Sequence, residues 1–176
     1  PPDFVSGQIL TAAQMNAVGL WLISTTSFSA ASPDITAVFN ADYENYVAVL
    51  RCTSSLSGQY TNCQLLNGTT AKTTNYDRAG LVSTTGGVLA ADSGGTGGAG
   101  WRIAGQSTAG IYSTMHFYRP FTAAETGYKA ESSYSGNYYA TGGTQTESYS
   151  ATGFKILASG NAATYTGTIS VYGYNN

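Results

Sequence analysis

The sequence predicts an all-β chain: a two-sheet antiparallel sandwich, jelly-roll-like, with a short N-terminal helix and arm. Three observations carry that expectation. Only 9 % of the 176 residues are charged, against about 25 % in an ordinary soluble domain. With three Lys and four Glu in all, the chain cannot give several helices the charged outer face that a helix in water presents. Thr, Tyr and Val, which fit a pleated half-buried surface, and Gly, Ser and Asn, which punctuate turns, are abundant instead. From Leu20 onward, apolar residues recur with a period of two.

The one helix signal comes first. Thr11-Ala12-Ala13-Gln14 has the form of a capping box, in which the Thr hydroxyl accepts from an early helical amide while Gln14 reaches back. The helix runs over 11–18 and stops at Gly19. Two turns are too few to stand alone, so it should dock on something. Residues 1–19 are therefore read as an attachment arm and 20–176 as the sandwich domain. Phe4, Val5, Ile9, Leu10 and Met15 are the apolar residues that would anchor the arm on a neighbouring protein.

Strands follow. Leu20 to Phe28, Tyr46 to Thr53, and Tyr60 to Leu66 are the first long ones, the last two joined across Leu56-Ser-Gly-Gln59 in what reads as a hairpin. Ile111 to Tyr118 places Ile, Ser, Met and Phe on one face and Tyr, Thr, His and Tyr on the other. In the last strand Ile169 and Val171 oppose Thr168, Ser170, Tyr172 and Tyr174. Shorter candidates are 35–39, 100–104, 127–134 and 154–158, for eight or nine strands in all. Two Gly- and Ser-rich stretches, Gly86–Gly100 and Ser132–Thr144, read as mobile surface loops.

Charge and residue inventory exclude several functions. A net charge of −2 and a pI near 5.1 leave no basic footprint for nucleic acid. No apolar run approaches the roughly 20 residues of a membrane helix, and no secretory signal is expected. The single histidine, His116, lies on a predicted strand with no Gly-x-Ser-x-Gly elbow anywhere in the chain. One His and two Cys cannot fill a four-ligand metal site. Asp42 and Glu44, which flank Tyr43, are too few for calcium. Gly94–Gly100 lacks the Lys and Ser/Thr of a phosphate loop. No catalytic residue, cofactor or metal is therefore assigned. If Leu56–Gln59 turns a hairpin, Cys52 and Cys63 sit opposite each other, either bridged or as two buried thiols.

Tyr is the distinctive residue, with 14 copies, and its large amphipathic ring suits it to interfaces as well as to cores. Tyr134, Tyr138 and Tyr139, set among Gly136, Asn137, Gly142 and Gly143, are candidate contacts for a glycan or envelope polymer.

Three segments carry a resemblance. Phe4-Val-Ser-Gly-Gln-Ile-Leu-Thr-Ala-Ala-Gln-Met-Asn16 resembles the opening of minor tail and fibre proteins of tailed bacteriophages. Phe39-Asn-Ala-Asp-Tyr43-Glu-Asn-Tyr46-Val-Ala-Val-Leu50 and Gly167-Thr-Ile-Ser-Val-Tyr-Gly-Tyr174 are similar to segments of small phage structural proteins, in the same order. The resemblance implies a virion surface component made in the host cytoplasm, with a sandwich that trimerises and with other virion proteins as partners. It leaves open a minor tail or short fibre subunit aiding host attachment and a capsid decoration or head-fibre protein. A cell-wall hydrolase is a remote third reading, since no acid/base pair is recognisable.

Overall fold

The computed structural model describes residues 19–92 and 96–175. The expected helix over 11–18, and with it Phe4, Val5, Ile9, Leu10 and Met15, lies outside the described residues.

Every regular element among the described residues is a β-strand. In chain order they are β1 (Trp21–Ala30), β2 (Asp34–Ile35), β3 (Asn45–Ser54), β4 (Tyr60–Asn67), β5 (Thr70–Ala71), β6 (Tyr76–Ser83) and β7 (Leu89–Asp92). They continue with β8 (Trp101–Gly105), β9 (Ile111–Tyr118), β10 (Thr126–Tyr134), β11 (Asn137–Gln145), β12 (Gly153–Ala158) and β13 (Tyr165–Tyr174). Thirteen strands replace the expected eight or nine. They form two antiparallel sheets, so the chain is an all-β sandwich. One sheet has eight strands in the order β1-β13-β3-β9-β10-β11-β6-β7. The other runs β2-β12-β4, with β5 and β8 sharing the far edge of β4.

Period-two patterning does what it predicts. In β9, Ile111, Ser113, Met115 and Phe117 are buried while the residues between them face outward. In β13, Ile169 and Val171 point inward. The core between the sheets is rich in aromatic rings. Phe117 lies 4.9 Å from Phe154 and 5.2 Å from Phe39, and Trp101 stacks on Tyr128 at 4.5 Å and 5°. Full burial of each such side chain contributes roughly 1.5–3 kcal/mol.

Four expectations are corrected. Leu56–Gln59 does not turn a hairpin. β3 already has β13 on one edge and β9 on the other, so no edge is free for β4, and the chain crosses to the facing sheet. Ser132–Thr144 is not a loop. It is most of the β10–β11 hairpin, paired from Thr126↔Gln145 to Tyr134↔Asn137. Ser135 and Gly136 (φ 45° and 73°) make its two-residue turn, with the left-handed backbone that matches strand twist. Gly86–Gly100 is not wholly loop either, because Leu89–Asp92 pairs with β6 as the edge strand β7. Of the expected strand 35–39, only Asp34–Ile35 pairs, although Val38 and Phe39 are buried and donate their amides to the Thr152 carbonyl.

Candidate functional site

The eight-stranded sheet has one face in the core and one in solvent, and the register fixes what lies on each. Arg51, Tyr112, Ser133, Tyr138 and Ser83 stand side by side across β3, β9, β10, β11 and β6. Two residues along, Val49, Thr114, Glu131, Ala140 and Leu81 form the next row. Tyr112 is 55 % exposed and Tyr138 46 %. Between them is a shallow groove of about 310 Å³ whose lining includes Arg51, Thr114, Glu131 and Ser133. Glu131 is held by Lys129, its Nζ 2.7 Å from the carboxylate, and that hydrogen bond draws the Glu131 carboxyl below its ordinary range.

The inward-facing tyrosines do a different job. Tyr46 donates to the Asn40 carbonyl at 2.7 Å. The Tyr76 hydroxyl accepts from the Leu65 amide at 2.8 Å and donates to the Lys72 carbonyl at 3.0 Å. Tyr165 bonds with Thr61 and Gln106. Burial pushes the pKa of all three upward, so they remain neutral polar links inside the core.

Tyr134, Tyr138 and Tyr139 do not form one contact patch. Successive strand residues face opposite ways, so Tyr138 is exposed while Tyr139 is fully buried. Tyr134 is half-buried against the core. Only Tyr138 of the three is offered to solvent as a large exposed ring.

Tyr139 belongs instead to a polar cluster that spacing could not reveal. Its hydroxyl donates to Asp92, which also takes a charge-assisted bond from Arg102 and lies 3.6 Å from Arg78 Nε. The Arg102 guanidinium carbon sits 3.5 Å above the Tyr60 ring. Four strands (β6, β7, β8 and β11) are tied at one carboxylate, β8 being the contribution of the facing sheet. The four residues are far apart in sequence and gave no motif.

The remaining candidates are dispersed. His116 faces outward beside Val47 and Lys129 and packs along the Tyr118 ring, 6.3 Å between centroids. Partial burial, helped by the Lys129 charge, lowers its pKa. Asp42 and Glu44 lie exposed in the turn before β3, with Glu44 3.9 Å from Arg119. Cys52 and Cys63 are free and buried on different sheets, not opposite one another. Burial pushes the Cys52 thiol up to about 12 and that of Cys63 higher still. Among the described residues no group of three or more His, Cys, Asp or Glu could hold a metal ion, and no helix is long and apolar enough to cross a membrane. No protein-family model, curated protein or solved structure matches the chain.

Proposed function

We propose that this chain is a non-enzymatic structural protein of a tailed-bacteriophage virion, a surface-exposed minor tail or short fibre subunit that aids host attachment. The observation that carries the reading is how two of the resemblance-bearing segments meet. Phe39, Tyr43 and Tyr46 pack ring to ring, at 4.7 Å and 6.2 Å between centroids. β3, the strand that carries Tyr46, pairs with the closing segment, Tyr46 opposite Gly173 and Asn45 opposite Tyr174. The Tyr43 ring lies where a Cβ on residue 173 would stand, so glycine is required there. Segments that resemble phage proteins separately thus make one packed unit, with a physical reason for their residues.

Strand order supports a jelly-roll reading. β1-β13-β3-β9 faces β2-β12-β4-β8, the alternation between sheets that a rolled-up pair of Greek keys produces. On this reading β6, β7, β10 and β11 are insertions that widen one sheet, and β5 is a short addition to the edge of β4 in the other. Assembly as a homotrimer on the virion surface belongs to the same proposal. A capsid decoration protein is the second reading, favoured by one feature: no coiled-coil or collagen-like shaft occurs among the described residues. Counting copies per purified particle by quantitative mass spectrometry tests both. A handful of copies supports the tail reading, hundreds support decoration of the shell, and absence from purified particles overturns the proposal.

A further inference from the structure

We propose that the groove between Tyr112 and Tyr138 on the outer face of the eight-stranded sheet is a binding site for a neutral saccharide. The site rests on the attachment reading for its biological purpose, and its chemistry stands on the residues that line it.

Tyr112 and Tyr138 project from β9 and β11, with Ser133 of β10 between them. Strands lie about 4.8 Å apart, so the two rings rise from backbones about 10 Å apart. That span suits one sugar ring lodged between two aromatic walls. A pyranose has apolar C–H faces, which stack on aromatic rings, and an equator of hydroxyls that both donate and accept. The groove matches that division. Tyr112, whose ring lies over Gly110, and Tyr138 both line it, together with Ser133, Thr114, Glu131 and Arg51. Arg51 can only donate, Glu131 as a carboxylate can only accept, and the Ser and Thr hydroxyls do both. Glu131 spends one interaction on Lys129 and keeps acceptor positions for a ligand.

Composition argues against a protein occupant. The centre of a protein interface is depleted of charged residues, whereas Arg51 and Glu131 are among the residues that line this groove. Glu131 is already offset by Lys129, which leaves Arg51 as the one uncompensated charge among the named groups, too little by itself to select an anionic ligand. All the lining residues named sit on paired strands, so the walls are held in place before the ligand arrives. A groove this shallow binds weakly in one copy, and repeated copies on a particle would supply strength by avidity.

The test is a titration of isotope-labelled full-length protein, followed by backbone amide NMR. The probes are a panel of neutral trisaccharides built from glucose, galactose, mannose or N-acetylglucosamine. At least one is expected to move the amides of Tyr112, Ser133 and Tyr138 and to leave those of β12 unmoved. Tyr112→Ala with Tyr138→Ala should weaken that binding about tenfold or more. Tyr118→Ala, an exposed ring on the same face outside the groove, should leave it unchanged. All three side chains are exposed, and thermal melting checks that the variants fold. The proposal is overturned if no member of the panel moves those amides, or if the double variant binds as the parent does. It is equally overturned if the double variant changes only the oligomeric state in sedimentation, which would make the groove a contact between copies. Because the titration uses isolated protein, its failure is separate from absence of the chain from purified virions.

Discussion

Phe117 and Tyr118 are neighbours in one strand, yet they live in different solvents. The Phe117 ring is fully buried among Phe39, Phe154, Tyr128 and Trp101. Tyr118 is 38 % exposed, on the opposite face, beside His116. The same contrast runs across the whole eight-stranded sheet. Its inner face carries Leu50, Met115, Ile169 and Val171, and of its tyrosines Tyr46, Tyr76, Tyr139 and Tyr165 have bonded hydroxyls, whereas the Tyr128 hydroxyl is buried without a protein partner. Its outer face carries Tyr, Ser and Thr with a few mixed charges. Tyr therefore serves two purposes in one sheet: a cross-linking core residue inward and a contact ring outward.

The sharpest way to break the comparison is to truncate one residue on each side. Phe117→Ala is expected to cost about 3–5 kcal/mol, the lost transfer energy plus the cavity left behind. Tyr118→Ala should stay within about 0.5 kcal/mol, as surface changes do. Urea unfolding of the two variants measures both, and equal losses would mean that the two faces are not as different as the packing implies.

Next in size is Asp92→Ala. It leaves Arg78 and Arg102 facing each other at a mostly buried site; breaking a fully buried pair costs about 3–5 kcal/mol, and the partial exposure of both guanidiniums places this loss toward the lower end. The loss should be local. Hydrogen exchange is expected to accelerate in β6 and β7 and to change little in β3 and β13, where hydrophobic packing dominates. Uniform acceleration would show that the polar cluster supports the entire sandwich and not its widened end.

Gly173→Ala should be milder, about 1–3 kcal/mol, because the added methyl must displace the Tyr43 ring or bend β13. A melting temperature equal to the parent's would remove the packing reason given for that glycine.

The smallest effect concerns His116. Its pKa is lowered in the folded chain, chiefly by burial and then by Lys129, so folding favours the neutral ring. Its contribution is complete above the unfolded value near 6.5 and is lost as pH falls through the lower folded value. Partial exposure keeps it small, below about 0.5 kcal/mol. His116→Gln should flatten this part of the pH–stability curve below neutrality, and an unaltered curve would assign the dependence to other groups.

Alternation made β9 and β13 legible in the sequence, because both faces of those strands obey one rule throughout. β11 was not legible. It contains Gly142-Gly143, which reads as loop, yet Gly143 is there because a Cβ would meet the Asp77 carbonyl of the neighbouring strand. In β6 the inward Arg78 interrupts the apolar pattern, since its partner is Asp92 of β7 and not a hydrophobic core. The division of strands between sheets was also hidden, as the 56–59 segment shows: turn chemistry is local, and edge availability is not. The groove suffered the same fate. Tyr138 was noticed for its aromatic neighbours in sequence, one of which proved to be buried, whereas its true neighbour across the sheet is Tyr112, brought near by the β9-β10-β11 meander.

The most direct test of the account asks whether the outer face points away from a particle. A Fab fragment selected against the Tyr112–Tyr138 groove on the isolated protein can be applied to intact virions and imaged by cryo-electron microscopy. The account predicts Fab density at regular positions on the outside of intact particles, abolished by Tyr112→Ala with Tyr138→Ala. Binding to the isolated protein with no density on intact virions would contradict it.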